Sequence, residues 1–212
     1  MIPKLRFHEP RRNLPAISSR KNVERDFTLA FARAYLSQID SLHHGTTRID
    51  VDFAREIPMN GFGIADFVAV FWDPVGFNKN KPATDGRKFI KTASPIIRAF
   101  EIKMSNWRRA LAQAHRYKYF ADVSIAVLPN TQVTPALDYL NTFKAVNVGL
   151  WSFDSMNNRI STHFTPRPVA PLEPKFKPRA IELVARASKS CSLGRTTPEP
   201  YKMLFPDVRL CV

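Results

Sequence analysis

A central β-strand is predicted at residues 96–104, which read IIRAFEIKM. Because side chains alternate between the two faces of a strand, Glu101 and Lys103 would project from one face. The bare pattern of an acid, any residue and a lysine carries little weight, since about one copy is expected by chance. A second copy, Glu173-Pro174-Lys175, stands in a proline-rich segment where no regular strand is expected. The surroundings of residues 96–104 therefore decide how Glu101 and Lys103 are interpreted.

The segments before residue 96 place a further acid among apolar residues. Residues 48–57 alternate between apolar and polar side chains, and residues 64–72 are apolar and β-prone. The stretch Asn60-Gly61-Phe62-Gly63 links them, as in a β-hairpin. Asp66 is the one charged residue of the second segment. A carboxylate there is costly unless it is paired, metal-bound or at a sheet edge, although an ordinary strand acid is an alternative for Asp66 and Glu101 alike.

Helices and further strands are predicted from the spacing of apolar residues. The helices span 22–39, 105–120 and 135–146, and the strands span 123–128 and 147–153. Glu24 lies close to the apolar stripe of the first helix, and Gln113 and Tyr117 are one turn apart on the second. The order α-β-β-β-α-β-α-β predicts an α/β fold with a central mixed β-sheet flanked by helices.

The composition of the chain predicts one folded domain with appendages. At 212 residues and 44% apolar, the chain has enough apolar side chains for a core, which excludes wholesale disorder. We expect a basic irregular arm at 1–21, a domain at 22–164 that includes a basic loop at 73–95, and a proline-rich basic tail at 165–212.

Several function classes are excluded at this stage. The longest apolar run, residues 67–72, is too short for a membrane-spanning helix, which needs about 20 residues. The first residues lack the apolar region of a secretory signal, and two cysteines cannot form a disulfide framework or a typical zinc site. We therefore expect a cytoplasmic, reducing setting and no membrane partner.

Charge is unevenly distributed along the chain. The formal net charge is +14, with residues 76–118 at net +9 and residues 26–75 at net −4. A strongly basic domain is typical of proteins that bind a phosphate backbone, although a solubility charge or an anionic membrane surface is an alternative. The candidate nucleic-acid-binding residues are Lys79, Lys81, Arg87, Lys88, Arg108, Arg109, Arg116 and Tyr117.

Residues 22–155 resemble the PD-(D/E)XK nuclease superfamily, which has the restriction-endonuclease-like fold. The resemblance rests on a helix with Glu24, a strand with Asp66, the strand with Glu101-Ile102-Lys103, and a helix that carries a Gln-x-x-x-Tyr motif at Gln113. One departure is that Ala65, and not proline, precedes Asp66. The resemblance implies a restriction-endonuclease-like core for the predicted domain.

The resemblance also implies a role for each site residue. Asp66, Glu101 and the backbone carbonyl of Ile102 would bind Mg²⁺, for which Mn²⁺ would substitute. Lys103 would orient the attacking water or stabilise the transition state. Gln113 would hold that water or a backbone phosphate, Glu24 would support a second metal or a metal-bound water, and Tyr117 would pack and form one hydrogen bond.

The implied function is a metal-dependent nuclease that hydrolyses phosphodiester bonds, as a DNA endonuclease of the restriction, repair or mobile-element type. Two alternatives stay open: a non-catalytic DNA-binding module that has the nuclease fold, and a nuclease that acts on RNA. The expected partner is nucleic acid, and specifically double-stranded DNA. Cutting both strands of double-stranded DNA needs two active sites, so a homodimer is a further hypothesis.

Overall fold

The structure, a computed structural model, describes residues 11, 14, 23–42, 50–72 and 95–190. Nearly all of the predicted basic loop and most of the predicted arm lie outside the described residues. The candidate nucleic-acid ligands in that loop, which are Lys79, Lys81, Arg87 and Lys88, lie outside them too, so their role stays a prediction. No helix in the described part of the chain is long and apolar enough to cross a membrane.

A six-stranded sheet forms the centre of the structure. Its strands are β1 (Asp50–Met59), β2 (Gly63–Trp72), β3 (Ile96–Ile102), β4 (Val123–Pro129), β5 (Gly149–Asp154) and β6 (Arg159–Phe164). They follow chain order across the sheet. The pairs β3–β4 and β4–β5 are parallel, and the other neighbouring pairs are antiparallel. All seven residues of β4 are buried, as expected for a parallel strand that is covered on both faces.

Helices cover both faces of this sheet. They are α1 (Val23–Leu42), α2 (Trp107–Tyr117), α3 (Thr134–Leu137), α4 (Leu140–Ala145) and α5 (Lys177–Ser190). On one face, Tyr35 of α1 packs against Phe100 of β3 with ring centroids 4.9 Å apart, in a cluster of aromatic side chains. On the other face, α2 buries Ala110 and Ala114, whose small side chains allow close approach to the sheet. The predicted α/β fold with a central mixed sheet flanked by helices is thus confirmed.

The predicted hairpin sets the register of β1 and β2. Met59 pairs with Gly63, and the amide of Phe62 donates a hydrogen bond to the Met59 carbonyl at 2.9 Å. Gly61 has φ +86°, a left-handed conformation that glycine adopts without the steric cost of a Cβ. Ile57 then pairs with Ala65. The turn therefore brings Asp66 into the second strand just after its start.

Two local predictions between residues 130 and 165 need correction. The predicted helix at 135–146 is two short helices, α3 and α4, because Tyr139 leaves helical geometry and packs its ring 4.7 Å from that of Trp107. Strand β6 was not predicted, since its polar residues Thr162 and His163 interrupt any apolar pattern. Its pairing with β5 supplies the ladder hydrogen bonds that keep it in the sheet.

The segment that follows residue 165 corrects the predicted extent of the domain. The tail was predicted to begin at 165, with a short helix within it. In the structure, Ala180, Ile181 and Val184 of α5 are fully buried in a core cluster with β1 and β2. Prolines before α5 break regular structure without preventing the helix from packing, so the folded unit continues to at least residue 187.

Candidate active site

The carboxyl end of β3 brings together residues from three separate segments. The register pairs Phe67 with Phe100, so the next positions along the two strands place Asp66 beside Glu101. Residues opposite each other in an antiparallel pair share a face of the sheet, and alternation adds Lys103 to that face. The first turn of α1 reaches the same end of the sheet with Glu24. Four predicted site residues therefore converge.

The ammonium group of Lys103 lies at the centre of this group. Its Nζ atom is 2.7 Å from Glu101 Oε1, 3.2 Å from Glu24 Oε1 and 3.9 Å from Asp66 Oδ2. It also donates a hydrogen bond to the carbonyl oxygen of Ile102 at 3.3 Å. Three carboxylates and one carbonyl thus surround a single cation.

Two backbone and side-chain contacts hold the carboxylates in place. The amide of Ile102 donates a hydrogen bond to Asp66 Oδ2 at 2.8 Å. The Tyr117 hydroxyl contacts Glu101 Oε2 and also lies 2.7 Å from the carbonyl oxygen of Ile64. A phenol has one proton, which the Tyr117 hydroxyl can donate either to the Glu101 carboxylate or to the Ile64 carbonyl.

The position of Tyr117 corrects one prediction. Its side chain is 0% exposed, so it cannot contact a nucleic acid as predicted. The predicted combination of packing and hydrogen bonding is what the structure contains instead. The apolar stripe of α2 draws the ring into the core, and the hydroxyl reaches Glu101 from there.

Burial and mutual repulsion shift the pKa values of the acids. Burial, followed by the charge of Glu101, raises the pKa of Asp66 to about 7. Burial also raises the pKa of Glu101, although Lys103 and Tyr117 oppose the shift. Burial alone would lower the pKa of Lys103, but the negative charges around it outweigh this effect and raise the pKa. The ammonium is therefore charged at neutral pH, while the pKa values of Asp66 and Glu101 are both raised.

The donor set fits a hard divalent cation. With Glu24, Asp66 and Glu101 ionised, one lysine leaves two negative charges in excess. Every donor is an oxygen, the ligand type that Mg²⁺ prefers, and Mg²⁺ needs only one or two carboxylates because substrate phosphate and water complete its shell. Among the described residues, no three or more His, Cys, Asp or Glu side chains are arranged as a ready metal cage. The Lys103 ammonium is instead the cation that these carboxylates contact.

A polar cavity of about 280 Å³ opens beside Lys103. It is lined by Glu24, Lys103, Met104, Ser105, Asn106 and Arg109. Asn106 caps α2 by accepting a hydrogen bond from the amide of Arg109 at 3.0 Å. Sequence reasoning identified Arg109 but did not assign Ser105 or Asn106 to the site. An asparagine directly before a helix is a cap signal that could have indicated their position.

The other predicted residues of α2 are placed as follows. Gln113 lies one turn before Tyr117, and its Oε1 atom is buried without a hydrogen-bond partner in the described part of the chain. An acceptor in that state is available to a water or ligand, but its role stays a prediction. Arg108, Arg109 and Arg116 are exposed. Their place on the solvent side of α2 is compatible with backbone phosphate contacts.

Comparison of the chain with protein-family models, with curated proteins and with solved structures found no match. The interpretation of the site therefore depends on its own geometry and on the resemblance of its residues.

Proposed function

We propose that this chain is a metal-dependent nuclease of the PD-(D/E)XK type that hydrolyses phosphodiester bonds in DNA. The observation that carries the proposal is the cluster of three carboxylates and the Ile102 carbonyl around Lys103, at the end of a central strand. A restriction-endonuclease-like core is part of the proposal. The order of α1, β1 to β3, α2 and β4, with β3 parallel to β4, supports it.

Asp66, Glu101 and the carbonyl of Ile102 would hold Mg²⁺ or Mn²⁺. The bound ion would neutralise charge on the scissile phosphate and acidify the attacking water. Tyr117 keeps the Glu101 carboxyl group in a fixed orientation, and the amide of Ile102 does the same for Asp66. The protein thus orients both acids before any substrate arrives, which is the usual requirement for efficient electrostatic stabilisation.

Lys103 would act on the reacting phosphate. Its side chain is 18% exposed and lines the polar cavity, so the ammonium can reach a group bound there. A compact charge with three donors can stabilise the oxygens of the pentavalent transition state or orient the water. Its raised pKa keeps it protonated at neutral pH.

Glu24 and Gln113 would support these groups. Glu24 is half exposed and already contacts Lys103, so it would hold a second ion or a water at the mouth of the cavity. Gln113 would offer its buried, unpartnered oxygen to the attacking water or to a ligand group. Arg108, Arg109 and Arg116 would contact the DNA backbone.

Cleavage of supercoiled plasmid with Mg²⁺, Mn²⁺ or EDTA tests the proposal. We expect metal-dependent nicking by the wild type and a loss of at least about 100-fold in Lys103→Ala. Lys175→Ala is the matched control, because it removes the lysine of the other acid-x-lysine sequence, an exposed pair with Glu173 at 3.0 Å. Wild type that binds DNA tightly but never cleaves would support the non-catalytic module, and faster cleavage of a matched RNA would make RNA the substrate.

A homodimer is proposed on one argument only. Cutting both strands of a duplex needs two active sites, and each chain supplies one. Size-exclusion chromatography with light scattering, with and without DNA, tests this. A mass of one chain in both conditions would overturn it.

A further inference from the structure

A second cavity runs along α2, from Trp107 to Arg116. This groove has a volume of about 660 Å³, which is within the size range of small-ligand sites. Its lining residues are Trp107, Arg108, Leu111, Ala112, His115, Arg116, Tyr139 and Val146. We call it the α2 groove. The proposed chemistry at Lys103 does not use this groove.

Aromatic rings and an arginine form one wall of the α2 groove. The rings of Trp107 and Tyr139 have centroids 4.7 Å apart. The guanidinium carbon of Arg108 lies 4.4 Å from the Trp107 centroid and 5.4 Å from the Tyr139 centroid. Trp107 is only 8% exposed, whereas Tyr139 is 45% exposed and presents part of its ring to solvent. Flat aromatic and guanidinium surfaces of this kind are what a nucleobase stacks on.

The charge of the groove complements a nucleotide. Arg108 and Arg116 are exposed cations in its lining, and none of its lining residues is acidic. A nucleobase could therefore stack in the groove, and its attached phosphate would lie near the positive charge of the arginines. A purely apolar partner would leave the arginines without a counter-charge.

The α2 groove also adjoins the candidate active site. Asn106 and Arg109 line the polar cavity beside Lys103, while Trp107 and Arg108 line the groove. These four residues are consecutive at the start of α2, so the two cavities meet different sides of the same helical turn. A strand whose phosphate lies at Lys103 would thus pass close to the groove with a neighbouring nucleotide.

We propose that the α2 groove binds the base of an unpaired nucleotide next to the bond that is cut. A base stacked and paired within a duplex cannot reach such a groove without leaving the helix. The inference rests on the proposed nuclease function and names its substrate class: nucleic acid with a single-stranded segment beside the cleavage point. Tyr139 is the residue that contributes the exposed ring.

Equilibrium binding by fluorescence anisotropy in EDTA tests the groove without cleavage. The probes are a labelled 12-nucleotide oligothymidylate, an abasic oligomer of the same length and a 12-base-pair duplex. We expect Tyr139→Ala to bind oligothymidylate about 5- to 30-fold more weakly, because a base–aromatic stack is lost. Tyr139→Phe, which keeps the ring, and Met156→Ala, at a 94% exposed position in the β5–β6 turn, should stay within about twofold of wild type.

The abasic oligomer and the duplex serve as the probes that lack an unpaired base, in contrast to oligothymidylate. Both have the phosphates but no free base, so Tyr139→Ala should bind them within about twofold of wild type. Equal losses on the abasic oligomer, or unchanged binding of oligothymidylate, would overturn the proposal. A wild type that cleaves plasmid while Tyr139→Ala shows no loss on oligothymidylate would reject the groove and keep the nuclease. A wild type that binds none of the probes would reject both.

Discussion

An aspartate and a lysine lie beside each end of β3. At its start, the amide of Ile97 donates to Asp122 Oδ2 at 2.7 Å, and Lys177 Nζ lies 2.8 Å from Asp122 Oδ1. At its end, the amide of Ile102 donates to Asp66 Oδ2 at 2.8 Å, but Lys103 Nζ lies 3.9 Å from that carboxylate. The backbone contacts are nearly the same, and the charge balance is different.

The difference separates a balanced ion pair from a cluster in which carboxylates outnumber the cation. Asp122 and Lys177 match one to one, and both are largely shielded from solvent, so the pair ties α5 to the sheet. Lys103 faces three carboxylates beside an open cavity, so negative charge is left over. Under the proposed function, a bound cation or substrate would neutralise this surplus.

The largest expected effect is on cleavage. Glu101→Gln should lower metal-dependent cleavage by at least about 100-fold, since it removes a charged oxygen from the ion site. Asp122→Asn makes the same chemical change at the other end of β3 and should stay within about threefold of wild type. Single-turnover cleavage at 25 °C measures both. Equal losses in the two variants would mean that the two ends do not differ in function.

For the stability of the fold, a substitution at the start of β3 should be harmful and one at its end should be favourable. Lys177→Ala leaves Asp122 without its partner and should lower the free energy of unfolding by about 1–3 kcal/mol. Asp66→Asn removes repulsion with Glu101 and should raise it by about 0.5–2 kcal/mol at pH 8 without metal. Urea denaturation measures both. A destabilised Asp66→Asn would contradict the idea that charge is in surplus at the end of β3.

The pH dependence of stability sharpens the same contrast. The pKa of Asp66 rises from 3.8 to about 7 on folding, so the folded chain binds the extra proton between these values. The stabilising contribution is complete below about pH 4 and is lost as the pH rises to about 7. We expect the difference in stability between wild type and Asp66→Asn to follow this window in metal-free buffer. A difference that is constant from pH 4 to 8 would contradict it.

The smallest expected effect concerns the surface. Arg116→Ala, on α2, should weaken DNA binding by about two- to fivefold and reduce the salt slope by about one unit. Arg186→Ala, on α5, is the control, because this exposed arginine is paired with Glu182. Binding titrations at several salt concentrations give both slopes. Equal slopes for the two variants would place the DNA away from α2.

Much of the site followed from strand periodicity. Alternation placed Glu101 and Lys103 on one face, and an acid within an apolar segment marked Asp66 as unusual. Glu24 was suggested by its closeness to a helical stripe and by the resemblance to the nuclease superfamily. Its contact with Lys103 depends on how α1 packs on the sheet, which spans 79 positions of sequence and leaves no local signal.

The α2 groove and α5 were harder to anticipate. Tyr139 was expected inside a continuous helix, but packing against Trp107 breaks that helix and exposes the ring. Residues 165–190 were interpreted as part of a tail, because prolines dominate their start. The apolar face of α5 is explained only by its packing against β1 and β2.

The sequence by itself determined the order of helices and strands from α1 to β4, the hairpin turn, and the place of Glu101 and Lys103 on one face. These depend on local periodicity and on backbone preferences that each short segment carries. Only the tertiary structure decided that Lys103 would face three carboxylates, that Tyr117 would contact Glu101 from within the core, and that Asp122 would be neutralised by Lys177. Charge balance depends on which distant segments pack together, because Coulomb interactions follow distance in space and not position along the chain.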